Sequence, residues 1–202
     1  MRVTLLDEEK RPLPGPWLVR IPGWTRQRYL AEAPESQFCE FERGEILMHS
    51  PVAVRHQQIV RFLTYLLLHY CRTHRGGEVL NGPAVLQVSE DTCREPDIFV
   101  IPPERVAGMG DLPVVAVPSL IVEVVSPGTR NLDLRIKSAE YRATGAAEYW
   151  AVDYERRELT AHWPARVPTS GTLESSALSG FRIQAEWLWT DPLPSEIECA
   201  GA

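Results

Sequence analysis

A chain of 202 residues is long enough for one domain with a substantial core, and a composition of 44% hydrophobic and 24% charged residues argues against a disordered protein. The net charge of −6 argues against a protein that coats nucleic acid by bulk electrostatic attraction, but it allows local binding of a phosphate backbone. No apolar run reaches about 18 residues, no signal-peptide pattern is present and the four cysteines form no C-x-x-C pair, so we expect reduced thiols in a cytoplasmic protein.

The first third of the chain predicts an arm, a hairpin and a long helix. Residues 1–35 are rich in proline and tryptophan and lack periodicity, and we interpret them as an N-terminal arm with a short helix capped by Thr25. Two short runs within 37–51 indicate a β-hairpin. Apolar residues recur at three- and four-residue spacing in 55–74, which predicts an amphipathic helix that stops at Gly76.

The rest of the chain predicts strands around one further helix, 132–144, with Asn131 as its possible cap. Trp187 and Trp189 are expected to pack over the core. The absence of repeats and linkers favours one mixed α/β domain over 36–190, followed by a tail, 191–202. The predicted strand segments are VLNGPAVLQVS (79–89), REPDIFVIP (94–102), LIVEVVSP (120–127), AAEYWAVD (146–153) and ELTAHW (158–163).

Two carboxylates interrupt the apolar strands. Asp97 lies in a short strand bounded by prolines, and Glu123 lies in a β-branched run typical of a central strand that is covered on both faces. An isolated glutamate in such a run is more often a structurally hydrogen-bonded residue, because burying its charge is costly without a partner. Two carboxylates from adjacent strands can instead hold a hard divalent cation, with the backbone carbonyl of Val124 as a third ligand. Such a cation polarises a phosphoryl oxygen and activates a bound water.

Three residues of the predicted helix, Asp133, Lys137 and Tyr141, are four positions apart and share one face. A solvated stripe with a weak Asp–Lys pair is one explanation of this pattern. The alternative is chemical, because an ammonium near the cation would orient the attacking water or stabilise developing negative charge.

The motifs, taken in order, resemble the Uma-type restriction endonuclease family, a branch of the PD-(D/E)XK nuclease superfamily, over about residues 38–160. The resemblance implies a restriction-endonuclease-like fold, with a central mixed β-sheet flanked by helices. It implies that Asp97 and Glu123 bind Mg or Mn, and that the catalytic lysine is Lys137, since Val125 occupies the superfamily's usual lysine position. The matching motifs are RHQ (55–57), EPD (95–97), VEVVSPGT (122–129), DLRIKSAEY (133–141) and GAAEYWAVD (145–153).

The same resemblance singles out auxiliary residues. Glu40 matches an acid ahead of the hairpin glycine, and it would either help to bind a second metal or satisfy the hairpin. His56 would contact phosphate or the acids, or be a buried structural histidine, and Tyr141 would hydrogen-bond a metal ligand. Glu148 to Asp153 are expected to be mainly structural. Because arginine forks match phosphate geometry, the candidate phosphate contacts are Arg55, Arg61, Arg130 and Arg135.

Three hypotheses follow. The first is a Mg- or Mn-dependent endonuclease, a homodimer that binds DNA weakly or with a partner's help. In it, Asp97→Asn, Glu123→Gln and Lys137→Ala each remove most cleavage and leave the fold intact. The second is a catalytically inactive nucleic-acid-binding or assembly module on the same fold, without metal binding that depends on Asp97. The third is a structural protein in which Asp97 and Glu123 lie far apart.

Overall fold

A computed structural model describes residues 11, 17–33, 38–163 and 170–201. No helix within these ranges is long and apolar enough to cross a membrane. The helices are α1 (Arg26–Glu32), α2 (Val54–His74), α3 (Pro103–Val106), α4 (Ser138–Ala143) and α5 (Glu196–Ala200). The strands are β1 (Leu18–Pro22), β2 (Cys39–Glu42), β3 (Glu45–His49), β4 (Glu78–Asn81), β5 (Leu86–Ser89), β6 (Thr92–Arg94), β7 (Ile98–Ile101), β8 (Leu120–Val124), β9 (Glu148–Asp153), β10 (Glu158–His162), β11 (Thr172–Glu174) and β12 (Arg182–Gln184).

The central sheet has the order β10-β9-β8-β7-β4 and is mixed, because β8 and β9 are parallel whereas the other neighbours are antiparallel. Parallel neighbours need a crossover, and the chain supplies it through a π-helical turn, Leu132–Lys137, that continues into α4. One face of the sheet packs against α2, and the other face packs against Tyr141 and its neighbours. Strand β8 is therefore buried on both faces, as its β-branched sequence predicts.

A second five-stranded sheet, in the order β1-β3-β2-β6-β5, is entirely antiparallel. It contains the predicted hairpin as β2 and β3. Strands β1 and β6 are additional: β1 lies in the segment interpreted as an arm, and β6 lies in a polar stretch that shows no strand pattern. Tyr29 of α1 is buried against this sheet, so the N-terminal segment contributes to the core.

Several local predictions are confirmed. The Thr25 side chain caps α1 by accepting a hydrogen bond from the Arg28 amide, and α2 matches the predicted long helix. Trp187 and Trp189 pack against the main core. The predicted helix at 132–144 is present, but it begins as a π-helical turn and Asn131 makes no side-chain cap hydrogen bond. Such wide turns are frequent at functional sites.

Candidate active site

The antiparallel register of β7 and β8 brings the two strand carboxylates together. Ile98 is paired with Val122, so Asp97, one residue before β7, lies beside Glu123. The Val124 amide donates to Asp97 Oδ2 at 2.7 Å, and the Asp97 amide donates to Glu123 Oε2 at 3.4 Å. The structural hypothesis that required these acids to lie far apart is therefore not supported.

Lys137 reaches the same place from the π-helical turn. Its Nζ lies 2.9 Å from Glu123 Oε1, 2.9 Å from Glu40 Oε1 and 3.5 Å from Asp133 Oδ1. Burial tends to lower the pKa of this lysine, but the three carboxylates raise the pKa well above its ordinary value, so the side chain is an ammonium. The Asp–Lys pair is thus buried, and the solvated-stripe explanation is wrong.

Two further side chains hold the paired acids. The Tyr141 hydroxyl donates to Glu123 Oε1 at 2.6 Å. His56 Nε2 lies 3.2 Å from Asp97 Oδ2, while its Nδ1 is buried without a hydrogen-bond partner among the residues of the structure. Burial works to lower the pKa of His56, but its contact with Asp97 raises the pKa above the ordinary value. His56 is therefore a buried neighbour of the acids rather than an exposed phosphate contact.

A cavity of about 60 Å³ lies between these groups. Burial and the charge of neighbouring acids raise the pKa of Glu123 to about 8, against the opposing effect of Lys137. The ionised form of Glu123 is therefore unfavourable here, and a bound cation would favour it. The polar residues that line the cavity include Glu40, His56, Glu95, Asp97, Glu123, Thr129, Asp133 and Lys137.

The donor set fits a hard divalent cation. In the described part of the chain, no three His, Cys, Asp or Glu side chains converge as a complete metal cage. Magnesium does not need one, because it keeps several waters and is commonly bound through one or two carboxylates. Asp97 and Glu123 can supply these carboxylates, since Glu123 Oε2 has only the long hydrogen bond from the Asp97 amide. The Val124 carbonyl belongs to the same strand end.

The four arginines suggested as phosphate contacts lie outside the cavity lining. Arg55 donates to the backbone carbonyls of Leu188 and Thr190. Arg61 pairs with Glu196, and Arg130 forms a two-pronged pair with Asp153. Arg135 is exposed and has no ion pair among the described residues, which leaves its guanidinium available.

Sequence reasoning missed Glu95 and Arg94 as site residues, although both stand at the polar start of the predicted strand segment 94–102. Glu95 is buried beside the cavity, where its Oε2 accepts from the Cys39 amide and its Oε1 contacts the Tyr29 hydroxyl at 3.3 Å. The single hydroxyl proton of Tyr29 has a shorter bond, 2.7 Å, to the Cys39 carbonyl. A protonated Glu95 would satisfy the longer contact by donating to Tyr29. The sequence signal that could have found Arg94 and Glu95 was their position directly before Pro96 and Asp97.

Glu95→Gln is expected to make stability less dependent on pH. Burial and the charge of Glu40 raise the pKa of Glu95 from 4.5 to about 8. Between these values the folded state binds a proton that the unfolded chain has released, so the free energy of unfolding falls as pH rises, by at most about 1.4 kcal/mol per pH unit. Urea denaturation at several pH values should show the variant gaining stability over wild type from pH 5 to 8. Parallel profiles would show that Glu95 is ionised when folded.

Comparison with known proteins agrees with this architecture. A crystal structure of a putative nuclease belonging to DUF820 from Anabaena variabilis has a TM-score of 0.72 to this chain at 15% identity, and the match covers 82% of this chain and 97% of that one. This chain thus shares the mixed α/β fold of that putative nuclease. A model of the Uma2 family, described as putative restriction endonuclease, matches residues 26–186. The chain belongs to the Uma2 family. A search of curated proteins gave no match.

Proposed function

We propose that this protein is an endonuclease that hydrolyses DNA phosphodiester bonds with the help of Mg²⁺ or Mn²⁺. The observation that carries the proposal is the meeting of Asp97, Glu123 and the Lys137 ammonium at one cavity. Family membership and the nuclease-like fold support the same class of activity.

Each residue has a distinct task in this proposal. Asp97, Glu123 and the Val124 carbonyl hold the cation, which, when bound, polarises the phosphoryl oxygen and lowers the pKa of a coordinated water. Lys137 presents a fixed positive charge beside Glu123 that orients the attacking water and offsets charge developing on phosphorus.

The supporting residues fix these groups before substrate arrives. Tyr141 holds one oxygen of Glu123 so that the other oxygen remains turned away from the lysine. His56 and the Val124 amide both contact Asp97 Oδ2. Groups locked in this way need little rearrangement during the reaction, which is the main source of electrostatic catalysis.

DNA binding is the weaker part of the arrangement. With a net charge of −6 and three of the four candidate arginines held by protein groups, the monomer has little free positive charge for the backbone. Arg135 differs from the other three, because it is exposed and forms no ion pair among the described residues. We therefore propose low-affinity binding that a second copy of the chain, in a homodimer, or another partner strengthens.

Mn²⁺-dependent nicking of supercoiled plasmid tests the function directly. The wild-type protein should nick the plasmid, and Asp97→Ala should reduce nicking by on the order of a thousandfold, as expected when a cation that supplies several kcal/mol is no longer held. Calorimetry should show Mn²⁺ binding that Asp97→Ala weakens. If the wild-type protein neither nicks the plasmid nor binds Mn²⁺ in a way that depends on Asp97, the inactive nucleic-acid-binding module is favoured and the nuclease proposal fails.

A further inference from the structure

We propose that Glu40 is a positioning residue for Lys137, and that Arg94 holds Glu40 in place by binding the carboxylate oxygen that does not contact Lys137. The ammonium would then be presented to Glu123 by a chain of buried charges that starts in the second sheet. The catalytic part of this inference rests on the proposed nuclease function, whereas the positioning itself does not.

The contacts of Glu40 leave little room for a metal ion. Its carboxylate is 2% exposed and has polar partners on both oxygens. A carboxylate with this many close donors is committed to them, so a role as second-metal ligand is disfavoured. The partners are Lys137 Nζ at 2.9 Å and the Glu95 amide at 3.3 Å from Oε1, and Arg94 Nη1 at 3.2 Å and His49 Nε2 at 3.3 Å from Oε2.

Arg94 of β6 connects its own strand to two further elements, and its side chain is fully buried. Its guanidinium contacts Glu40 and Glu42 of β2 and Glu140 of α4, the helix that follows Lys137. Two of these contacts are a fork to Glu140, with Nε and Nη2 each 2.8 Å from a carboxylate oxygen. A planar guanidinium can serve several carboxylates at once, which a single ammonium cannot do with the same geometry.

The arrangement fixes both the backbone and the ammonium of Lys137. Arg94 ties the helix of Lys137 to the strand of Glu40, and Glu40 then holds the ammonium next to Glu123. Buried ion pairs are a costly way to stabilise a fold, because apolar residues of similar volume often do as well. The long, flexible side chain of Lys137 is held here in one position and loses much of its rotamer freedom. A catalytic ammonium requires such a fixed position, whereas a purely structural one does not.

Because the chain has only two lysines, the Lys137 ammonium can be observed directly by NMR. Lys137 is one of only two lysines, with Lys10, so selective ¹⁵N labelling of lysine side chains gives two ammonium signals, and Lys137→Arg assigns them. In the wild type, protons of the Lys137 ammonium should exchange slowly with water because three carboxylates hold it. Glu40→Gln should accelerate this exchange at least tenfold.

Two companion variants make the result specific. Glu148→Gln is the matched control, since Glu148 is equally buried but its amide donors belong to Ser176 and Ala177. It should leave the Lys137 signal unchanged. If Glu40→Gln does not fold, Arg94→Lys is the deciding variant, because it keeps the positive charge but loses the two-pronged contact with Glu140. It should also accelerate exchange, and unchanged exchange in the folded variant would overturn the proposal.

Measurements of activity and of metal binding distinguish a Glu40 that positions Lys137 from a Glu40 that binds the metal ion. Glu40→Gln should lower the kcat of plasmid cleavage about 10- to 100-fold, with the KM for DNA and the affinity for Mn²⁺ each within about threefold of wild type. A loss of Mn²⁺ affinity beyond tenfold, with Lys137 exchange unchanged, would make Glu40 a metal ligand and overturn the proposal. If the wild-type protein does not cleave DNA, the proposed function fails, while the exchange measurement still decides the positioning.

Discussion

Lys137→Ala is expected to lower the free energy of unfolding by about 3–5 kcal/mol, besides removing most cleavage. The substitution removes the ammonium and leaves the carboxylates of Glu40, Glu123 and Asp133 buried without it. Removing one member of a buried charge network is costly, because the remaining charges lose their partner without regaining water. Guanidinium denaturation followed by tryptophan fluorescence should measure the loss, and cleavage should be compared at a temperature at which both proteins are folded.

A surface ion pair supplies the control. Arg61 is 71% exposed and pairs with Glu196 at 3.2 Å, so Arg61→Ala should change the free energy of unfolding by less than about 1 kcal/mol. Equal stability of Lys137→Ala and the wild type would mean that the three acids regain water or protons without cost. From sequence we expect the fold to remain intact in Lys137→Ala, and the burial of Lys137 adds the expectation that this fold is less stable.

Elements defined by local periodicity were predictable. The amphipathic spacing of α2 and the β-branched run of β8 are signals contained within one segment. Strands β1 and β6 were not predictable, because short segments such as Thr92–Arg94 are strands through their pairing with neighbours, here β2 and β5. The second sheet joins two local hairpins, β2–β3 and β5–β6, through the distant pairings β1–β3 and β2–β6, which no single window of the sequence contains.

The site was predictable where a charge stands in an apolar context. Asp97 and Glu123 are conspicuous for this reason, whereas the Lys137 assignment depended on the family resemblance. Arg94 and Glu95 were missed because they stand at the polar start of the predicted strand segment 94–102, where a buried charge has the same pattern as a solvated one. Their burial arises from the second sheet folding over the cavity, so missing that sheet also meant missing these residues.

Glu123→Gln is expected to separate activity from stability. Cleavage should fall by on the order of a thousandfold, because the amide no longer supplies an anionic oxygen to the cation. The free energy of unfolding should change by no more than about 1 kcal/mol, because the amide oxygen still accepts from Tyr141 and Lys137. The pKa of Glu123, raised to about 8 by burial and nearby acids, also indicates that its negative charge is held unfavourably.

Glu148→Gln is the matched comparison, because it makes the same change at an equally buried glutamate of the neighbouring strand. Glu148 accepts from Ser175 and from the amides of Ser176 and Ala177, so losing its charge should cost about 1–3 kcal/mol of stability while cleavage by the folded protein is retained. Glu123→Gln should therefore lose plasmid nicking and keep its stability, whereas Glu148→Gln should lose stability and keep nicking. Retained cleavage in Glu123→Gln would remove this carboxylate from the metal site, and equal stability losses in both variants would make its role structural.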